Sequence, residues 1–489
     1  MKRLIVIVFI IFGAFLTLCL YRTYAYDTSV VEEVPSTTDL EYTFKIGNSS
    51  IKQITVDSGE TRYYDIVLGN PNNAKISYGV YYEMVSPSTK PDGYSIEYTS
   101  KSTGNSTGKV DKNGNITLNL VVTNASSSTV TVKLGTVAGY VNGGELTLGS
   151  GQVIIPKALV NAVELITNLN DGTTGDSGSG VYKIIHSAIP AGSSATGSEI
   201  PAVTDYRYYG PSPNNYICLD MEGQSTCPDK HLYRIIGSIY DEKENTNRLK
   251  LIKATPLTDG TTSEFSWDYR VFNNGGVVYS NIWATITSGN YSNSLTSGSQ
   301  LMKLLNSGAW WNGTSGSYYN DSTTATTVNF TNYKLSDKAK SYITTSRYYL
   351  GGYNTSRGVM TTQFYVYERG TLRSLSAEPL YWEGMVGLMY PSDYGYAAGN
   401  SCVSGTKLYN YNGGCRIKDW LYISNDHQWL MSPHSDDSRF VFYVGKGGLF
   451  DTNLNDYTYA VRPVFYLNSS ASITNGDGSL NNPYLITLE

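Results

Sequence analysis

Between Trp420 and Leu467 the chain reads WLYISNDHQWLMSPHSDDSRFVFYVGKGGLFDTNLNDYTYAVRPVFYL, and no other stretch restricts the fold as tightly. Short apolar runs (WLM, FVFYV, GLF and AVRPVFYL) are separated by Pro, Gly, Asn, Asp and Ser clusters. Runs of this length carry the turn formers that close consecutive strands. The C-terminal half is therefore expected to be organised around a small run of strands here, with Gly384–Tyr396 supplying a core strand that runs into a tyrosine-rich loop.

At 489 residues the chain exceeds one ordinary core, which predicts two or three domains. Only 16% of residues are charged, the net charge is −5, and 43 Tyr with abundant Gly, Ser, Thr and Asn replace the usual Lys and Glu. That profile suits a β-rich protein outside the cell. A nucleic-acid partner is excluded, because its phosphates call for a concentrated positive patch and the cations here are scattered through an acidic chain.

The N-terminus predicts export. Lys2 and Arg3 precede an apolar run from Leu4 to Leu20, and Thr23-Tyr24-Ala25 has the small-residue spacing of a signal-peptidase site. About 17 residues at 1.5 Å each span roughly 26 Å, longer than a usual signal core and just short of a bilayer. Residues 1–26 are thus a signal peptide cut after Ala25 or an uncleaved anchor in the cytoplasmic membrane. Either places the rest outside. Bulky Leu18 before Cys19 argues against a lipoprotein site.

After a polar spacer (27–41), residues 42–155 alternate in the strand period and predict a β-sandwich of immunoglobulin-like type. Residues 156–204 read as a short helix, KALVNAVELITNL, followed by a Gly/Ser-rich linker. The linker contains Gly175-Asp176-Ser177-Gly178, similar to the surround of a serine-protease nucleophile. The first His, His186, follows the Ser, so the linker reading is preferred. A second domain of α+β type, mostly antiparallel, is expected over 205–489, with a hairpin pairing His231–Tyr240 with Arg248–Lys253. Short helices are expected at Ser299–Asn306 and after an N-capping Ser336.

Cys218 and Cys227 are nine apart, and Cys402 and Cys415 thirteen apart. In an oxidising compartment they predict two local disulfides rather than a four-Cys zinc site, whose close Cys pairs are missing. Each closure would contribute on the order of 2–3 kcal/mol.

The segments His231–Gly237, Ser266-Trp267-Asp268, Gln300–Asn306, Val386–Ala397, Trp429–Pro433, Val441–Val444, Val461–Val464 and Gly476–Ser479 with Asn482-Pro483-Tyr484 resemble an uncharacterised extracellular domain. That domain is widespread in surface proteins of low-GC Gram-positive-related bacteria. The likeness covers roughly Asp205 to Tyr484, although Ala460 stands where that family usually has Gly before Val-Arg-Pro. Its ending is also distantly similar to formylglycine-generating-enzyme-like and C-type-lectin-like folds, which implies either an enzyme or a lectin. The enzyme would need redox-active cysteines near the end of the domain, and Cys402 and Cys415 lie well before it. Of the calcium-lectin sugar motifs, only Asn425-Asp426 matches part of one.

Candidate site residues follow from chemistry. Arg462, within an apolar strand and before Pro463, needs a buried partner, and Asp393, Asp436 or Asp437 could supply a bidentate carboxylate as a structural clamp. His427 and His434 flank Trp429 but lack a metal-ligand spacing. Asp451-x-Asn453-x-Asn455-Asp456 lacks the Gly and Glu of a calcium loop and reads as a long hairpin turn. Trp310, Trp311, Tyr348, Tyr390, Tyr394 and Tyr396 fall in Gly-, Ser- and Asn-rich segments. With His427 and Trp429 they form the expected ligand-binding set, in which exposed rings stack on a glycan or anchor a cell-surface protein. No catalytic residue, metal or cofactor is assigned. The expectation is an exported, adhesin-like surface protein whose sandwich acts as a stalk. An extracellular enzyme and a purely structural envelope protein are the alternatives.

Overall fold

Alternation of apolar and polar residues produces strands throughout, and the chain is mostly β. The structure is a computed structural model. It describes residues 43–46, 53–71, 76–100, 107–140, 152–153, 156–158, 160–271, 277–278, 281–284, 298–373 and 379–488. The N-terminal apolar segment and the spacer lie outside the described residues. Among the described residues no helix is long and apolar enough to cross a membrane. They divide into two compact units, one running to Leu159 and including Met221–Thr226, the other formed by Val160–Asp220 and Cys227 onward.

In the first unit two five-stranded sheets share one core. One sheet orders Thr43–Ile46, Glu60–Asn70, Gly114–Asn124, Tyr94–Ser100 and Pro156–Ala158. The other orders Gln53–Val56, Val130–Tyr140, Ile76–Ser86 and Thr107–Val110, and Gln152–Val153 also pairs with Ile76–Ser86. Every second residue of Gly114–Asn124 points inward, and Leu118, Leu120 and Val122 from one sheet pack with Val80, Val132 and Leu134 from the other. The Lys112-Asn113-Gly114 turn is closed by Asn113 at φ 54°, which Asn tolerates better than most residues.

The second unit begins near Val160, not at 205 as the composition suggested. Val160–Asn161 pairs with Ala471–Asn475, and the Asn161 side chain caps the helix Ala162–Asn168 by accepting from the Val163 and Glu164 N–H groups. Gly180–His186 pairs along its length with Val203–Tyr209. The Gly/Ser segment before it is no linker. Gly175 O accepts from Asn400 N at 2.8 Å, Ser177 O accepts from the Tyr209 hydroxyl at 3.1 Å, and Ser179 Oγ accepts from Ser212 N at 3.0 Å. Small residues are required by close approach: a Cβ on Gly210 would lie 2.1 Å from Gly178 O.

A ten-stranded, mostly antiparallel sheet carries this unit. Its main path runs Val160–Asn161, Ala471–Asn475, Tyr484–Leu488, Tyr216–Cys218, Leu232–Asp241, Thr246–Lys253, Val464–Leu467 and Ile343–Thr344. The expected hairpin is present as Leu232–Asp241 with Thr246–Lys253. Gly237 forms a bulge in it, where a Cβ would sit 2.2 Å from Tyr206 O on the neighbouring strand. A second, five-stranded sheet orders Glu264–Ser266, Thr458–Ala460, Gln428–Pro433, Phe440–Val444 and Phe450–Leu454. The Trp420–Leu467 stretch therefore supplies four strands of one sheet and, through Val461-Arg462-Pro463, hands its last strand to the other.

The helices Gln300–Asn306 and Asp337–Ser341 form as expected, capped by Ser299 and Ser336. Pro391–Ala397 departs from expectation: it is a fully buried helix, not a loop. Pro391 at its first turn and Asp393, whose Oδ2 accepts from Tyr390 N at 2.9 Å, are helix-start signals hidden by the Gly and Tyr around them. Both disulfides are present with the local pairing, Cys218–Cys227 and Cys402–Cys415, each with Cα atoms 5.8 Å apart.

Candidate ligand-binding face

Most of the aromatic residues expected on the surface are in the core. Trp310, Tyr348, Tyr390, Tyr394, Tyr396 and Trp429 are each no more than 3% exposed. Their polar atoms are committed inward. The Tyr348 hydroxyl donates to Val464 O and the Tyr390 hydroxyl to Tyr349 O, each at 3.1 Å. The Tyr394 hydroxyl donates to Gly448 O at 3.1 Å, and Trp429 Nε1 donates to Phe265 O at 2.9 Å. Glycines beside these rings allow close packing; a Cβ on Gly387 would press on Tyr348 at 2.6 Å. Trp311 is half-buried, with the Lys340 ammonium 5.4 Å from its ring centre.

The proposed carboxylate clamp on Arg462 is also corrected. Its guanidinium donates to Lys253 O at 2.7 Å, Leu421 O at 3.1 Å and Gln428 Oε1 at 3.3 Å. It thereby ties the Gln428–Pro433 strand to the end of Thr246–Lys253. Burial, followed by the nearby Arg234 cation, lowers its pKa to about 9. Asp437 instead binds Arg439, and Asp393 binds Arg207 at 2.7 Å and Lys250 at 2.5 Å.

Those last contacts belong to a buried charged network that the sequence did not disclose. Asp205 Oδ2 receives Arg207 Nη2 at 2.8 Å and His186 Nε2 at 2.9 Å. The His186 ring stacks on Tyr365 at 3.7 Å, and Tyr396 lies edge-on to it at 5.6 Å. Burial alone would push the Asp205 carboxyl up, but Arg207 and His186 hold it well below the usual carboxylate range. Burial lowers the His186 pKa against the pull of Asp205. Lined by core rings, this network is structural in its surroundings.

The half-exposed chemistry lies elsewhere, on one face of the five-stranded sheet. Trp429 and Tyr443 are cross-strand partners, as are Tyr443 and Asp451, while Tyr459 faces Phe265 on the other side. The sheet therefore places Trp429, Tyr443 and Tyr459 together, with His427 just before the first strand. The His427 ring stacks on Tyr459 at 4.9 Å and 29°, and Tyr443 lies 5.4 Å from His427 and 5.0 Å from Tyr459. Tyr457, 46% exposed, extends the row 6.4 Å beyond Tyr459. Trp429 underlies it, 4.4 Å from Tyr459.

Polar groups border this row. Asn453 Nδ2 donates to the Tyr459 hydroxyl, Asp451 Oδ1 accepts from Ser356 Oγ at 2.7 Å, and the Tyr422 hydroxyl donates to Lys446 O. Burial, reinforced by the Lys446 cation, holds the His427 imidazole below its ordinary value. Burial pushes the Tyr459 phenol up to about 12, and burial with Asp451 raises that of Tyr443. The result is a row of mutually tilted rings, exposed at Tyr457 and part-exposed at Tyr443 and His427 over a buried Tyr459, with amide, hydroxyl and carboxylate groups at its edge.

Of the residues expected to bind ligand, His427 and Trp429 contribute to this row, His427 at its surface and Trp429 as its floor. His434 does not converge with His427. Its Nδ1 accepts from Asp436 N and Asp437 N, each at 3.2 Å, and so shapes a turn. Tyr443, Tyr457, Tyr459 and Asn453 were missed. The spacing Tyr457-x-Tyr459 was the available signal, although Tyr457 stands in the bend before the strand Thr458–Ala460 and only Tyr459 lies in it. Asp451 and Asn453, read earlier as hairpin turn, lie in the strand Phe450–Leu454. No protein-family model, curated protein or solved structure matches this chain.

Proposed function

We propose that the protein is an exported surface protein whose C-terminal unit binds a polysaccharide on Tyr443, Tyr457 and His427, with Tyr459 and Trp429 packed beneath them. The observation that carries this reading is the group of part-exposed rings on one sheet over the buried Tyr459. Sugar rings present C–H faces that pack on flat aromatic surfaces, while their hydroxyls pair with edge amides and carboxylates such as Asn453 and Asp451. Rings anchored over Trp429 lose little freedom when a ligand binds, which favours affinity. Two disulfides suit an oxidising, extracellular setting. The immunoglobulin-like reading of the first unit and the lectin-like reading of the second rest on strand patterning and motif order, and both fit a non-catalytic surface role.

The test is a polysaccharide and cell-surface glycan array probed with the purified full exported chain. Binding to at least one neutral or weakly charged polysaccharide is expected. Uniform silence from protein that melts cooperatively would defeat the reading and favour a purely structural envelope role.

A further inference from the structure

Lys250, on the Thr246–Lys253 strand, and Asp393, in the Pro391–Ala397 helix, are each about 1% exposed, and Lys250 Nζ lies 2.5 Å from Asp393 Oδ2. This is closer than the roughly 2.7–2.9 Å usual for a charged N–H···O pair. The other carboxylate oxygen, Oδ1, accepts from Arg207 Nη1 at 2.7 Å. The rings of Tyr390 and Tyr466 stand 4.5 and 5.7 Å from Nζ and wall the pair off. A further buried carboxyl group is close by in the fold. Glu368, in the helix Thr361–Glu368, accepts from the backbone N of Ser392 at 2.8 Å and from its Oγ at 2.7 Å, and Ser392 directly precedes Asp393.

We propose that Lys250 and Asp393 become joined by an intramolecular amide bond in the folded protein. A buried ammonium–carboxylate pair held at contact contains all the atoms the bond needs. One proton passes from Nζ to Oδ2 along their hydrogen bond, leaving an amine and a carboxylic acid. The amine lone pair attacks Cγ, and Arg207 stabilises the negative charge that develops on Oδ1. A second proton then moves from nitrogen to the leaving oxygen, while Glu368, through its bonds to Ser392, holds the start of the helix that carries Asp393. Oδ2 departs as water, Oδ1 becomes the amide carbonyl, and no oxidant, reductant or net charge is required.

Burial lowers the Lys250 ammonium against the opposing pull of Asp393, which favours the free amine. Burial would raise the Asp393 carboxyl, but Lys250 and Arg207 hold it below its usual range, so the protonated acid is the minor species through which the step passes. Fixed geometry gives the pair a very high effective concentration, and replacing two buried charges by a neutral amide removes their desolvation cost. The product would cross-link strand to helix across 143 residues of sequence. None of this depends on what the aromatic row binds.

The test is peptide mapping of the purified full chain by tandem mass spectrometry after reduction and trypsin digestion. The expected result is a branched peptide in which Lys250 escapes cleavage and is joined to the Asp393 peptide, at one water below the summed mass. Lys250→Arg is expected to lose that species. Cleavage at Lys250, with the Asp393 peptide at unmodified mass from wild-type protein that melts cooperatively, would overturn the proposal without recourse to any variant.

Discussion

Arg462 shows how a single side chain can be read correctly for burial and wrongly for partner. Its place in an apolar strand announced that it must be paired, yet three acceptors from separate segments receive its hydrogen bonds, and none of the expected Asp393, Asp436 or Asp437 does. Arg462→Met should strand the Lys253 and Leu421 carbonyls at about 1–3 kcal/mol each, seen as a lower midpoint in urea unfolding with an unchanged slope. Asp205 gives a pH signature of the opposite kind. Its folded pKa is depressed, so its contribution is present above the ordinary carboxylate value near 3.8 and is lost as pH falls below it. Asp205→Asn, leaving Arg207 and His186 without their shared carboxylate, should cost roughly 3–5 kcal/mol at neutral pH. Its melting temperature should also fall less steeply in acid than that of the wild type, which thermal melts across a pH series would show.

At the scale of elements, glycine and cysteine carry the sharpest constraints. Gly237 permits the bulge that lets Leu232–Asp241 pass beside Val203–Tyr209. Gly237→Ala pushes a Cβ against Tyr206 O and should destabilise the second unit by about 1–3 kcal/mol, measurable by chemical denaturation. The Cys402–Cys415 bridge closes the loop whose neighbour, Arg416, donates to Gly447 O at 3.1 Å near the aromatic row. Replacing both cysteines by Ser should lower stability by about 2–3 kcal/mol, with a matching drop in melting temperature. The Pro391–Ala397 helix marks the limit of local reading: Ser392, Tyr394, Gly395 and Tyr396 around its start signals masked a helix that only tertiary burial selects.

For the whole molecule, the strand-rich character, the hairpin at Leu232–Lys253, the two capped helices and both disulfides were legible because each rests on local chemistry. The start of the second unit was not. The composition of Gly172–Gly180 resembles a tether, and only the distant contacts of Gly175, Ser177 and Ser179 reveal a packed turn. The candidate site was half legible for the same reason. His427, Trp429, Tyr443, Tyr457 and Tyr459 all lie in the stretch that declared itself, but only sheet register shows that Tyr443 and Tyr459 come beside Trp429. Rings beside Gly and Ser looked exposed, yet in a chain this rich in tyrosine they fill the core. The measurement that tests the binding account most directly is the affinity of wild-type and Tyr443→Ala/Tyr457→Ala chains for the polysaccharide selected on the array. A loss of about tenfold or more, roughly 1.4 kcal/mol, with an intact cooperative melt, is the predicted result. Equal affinity of the two chains would contradict it.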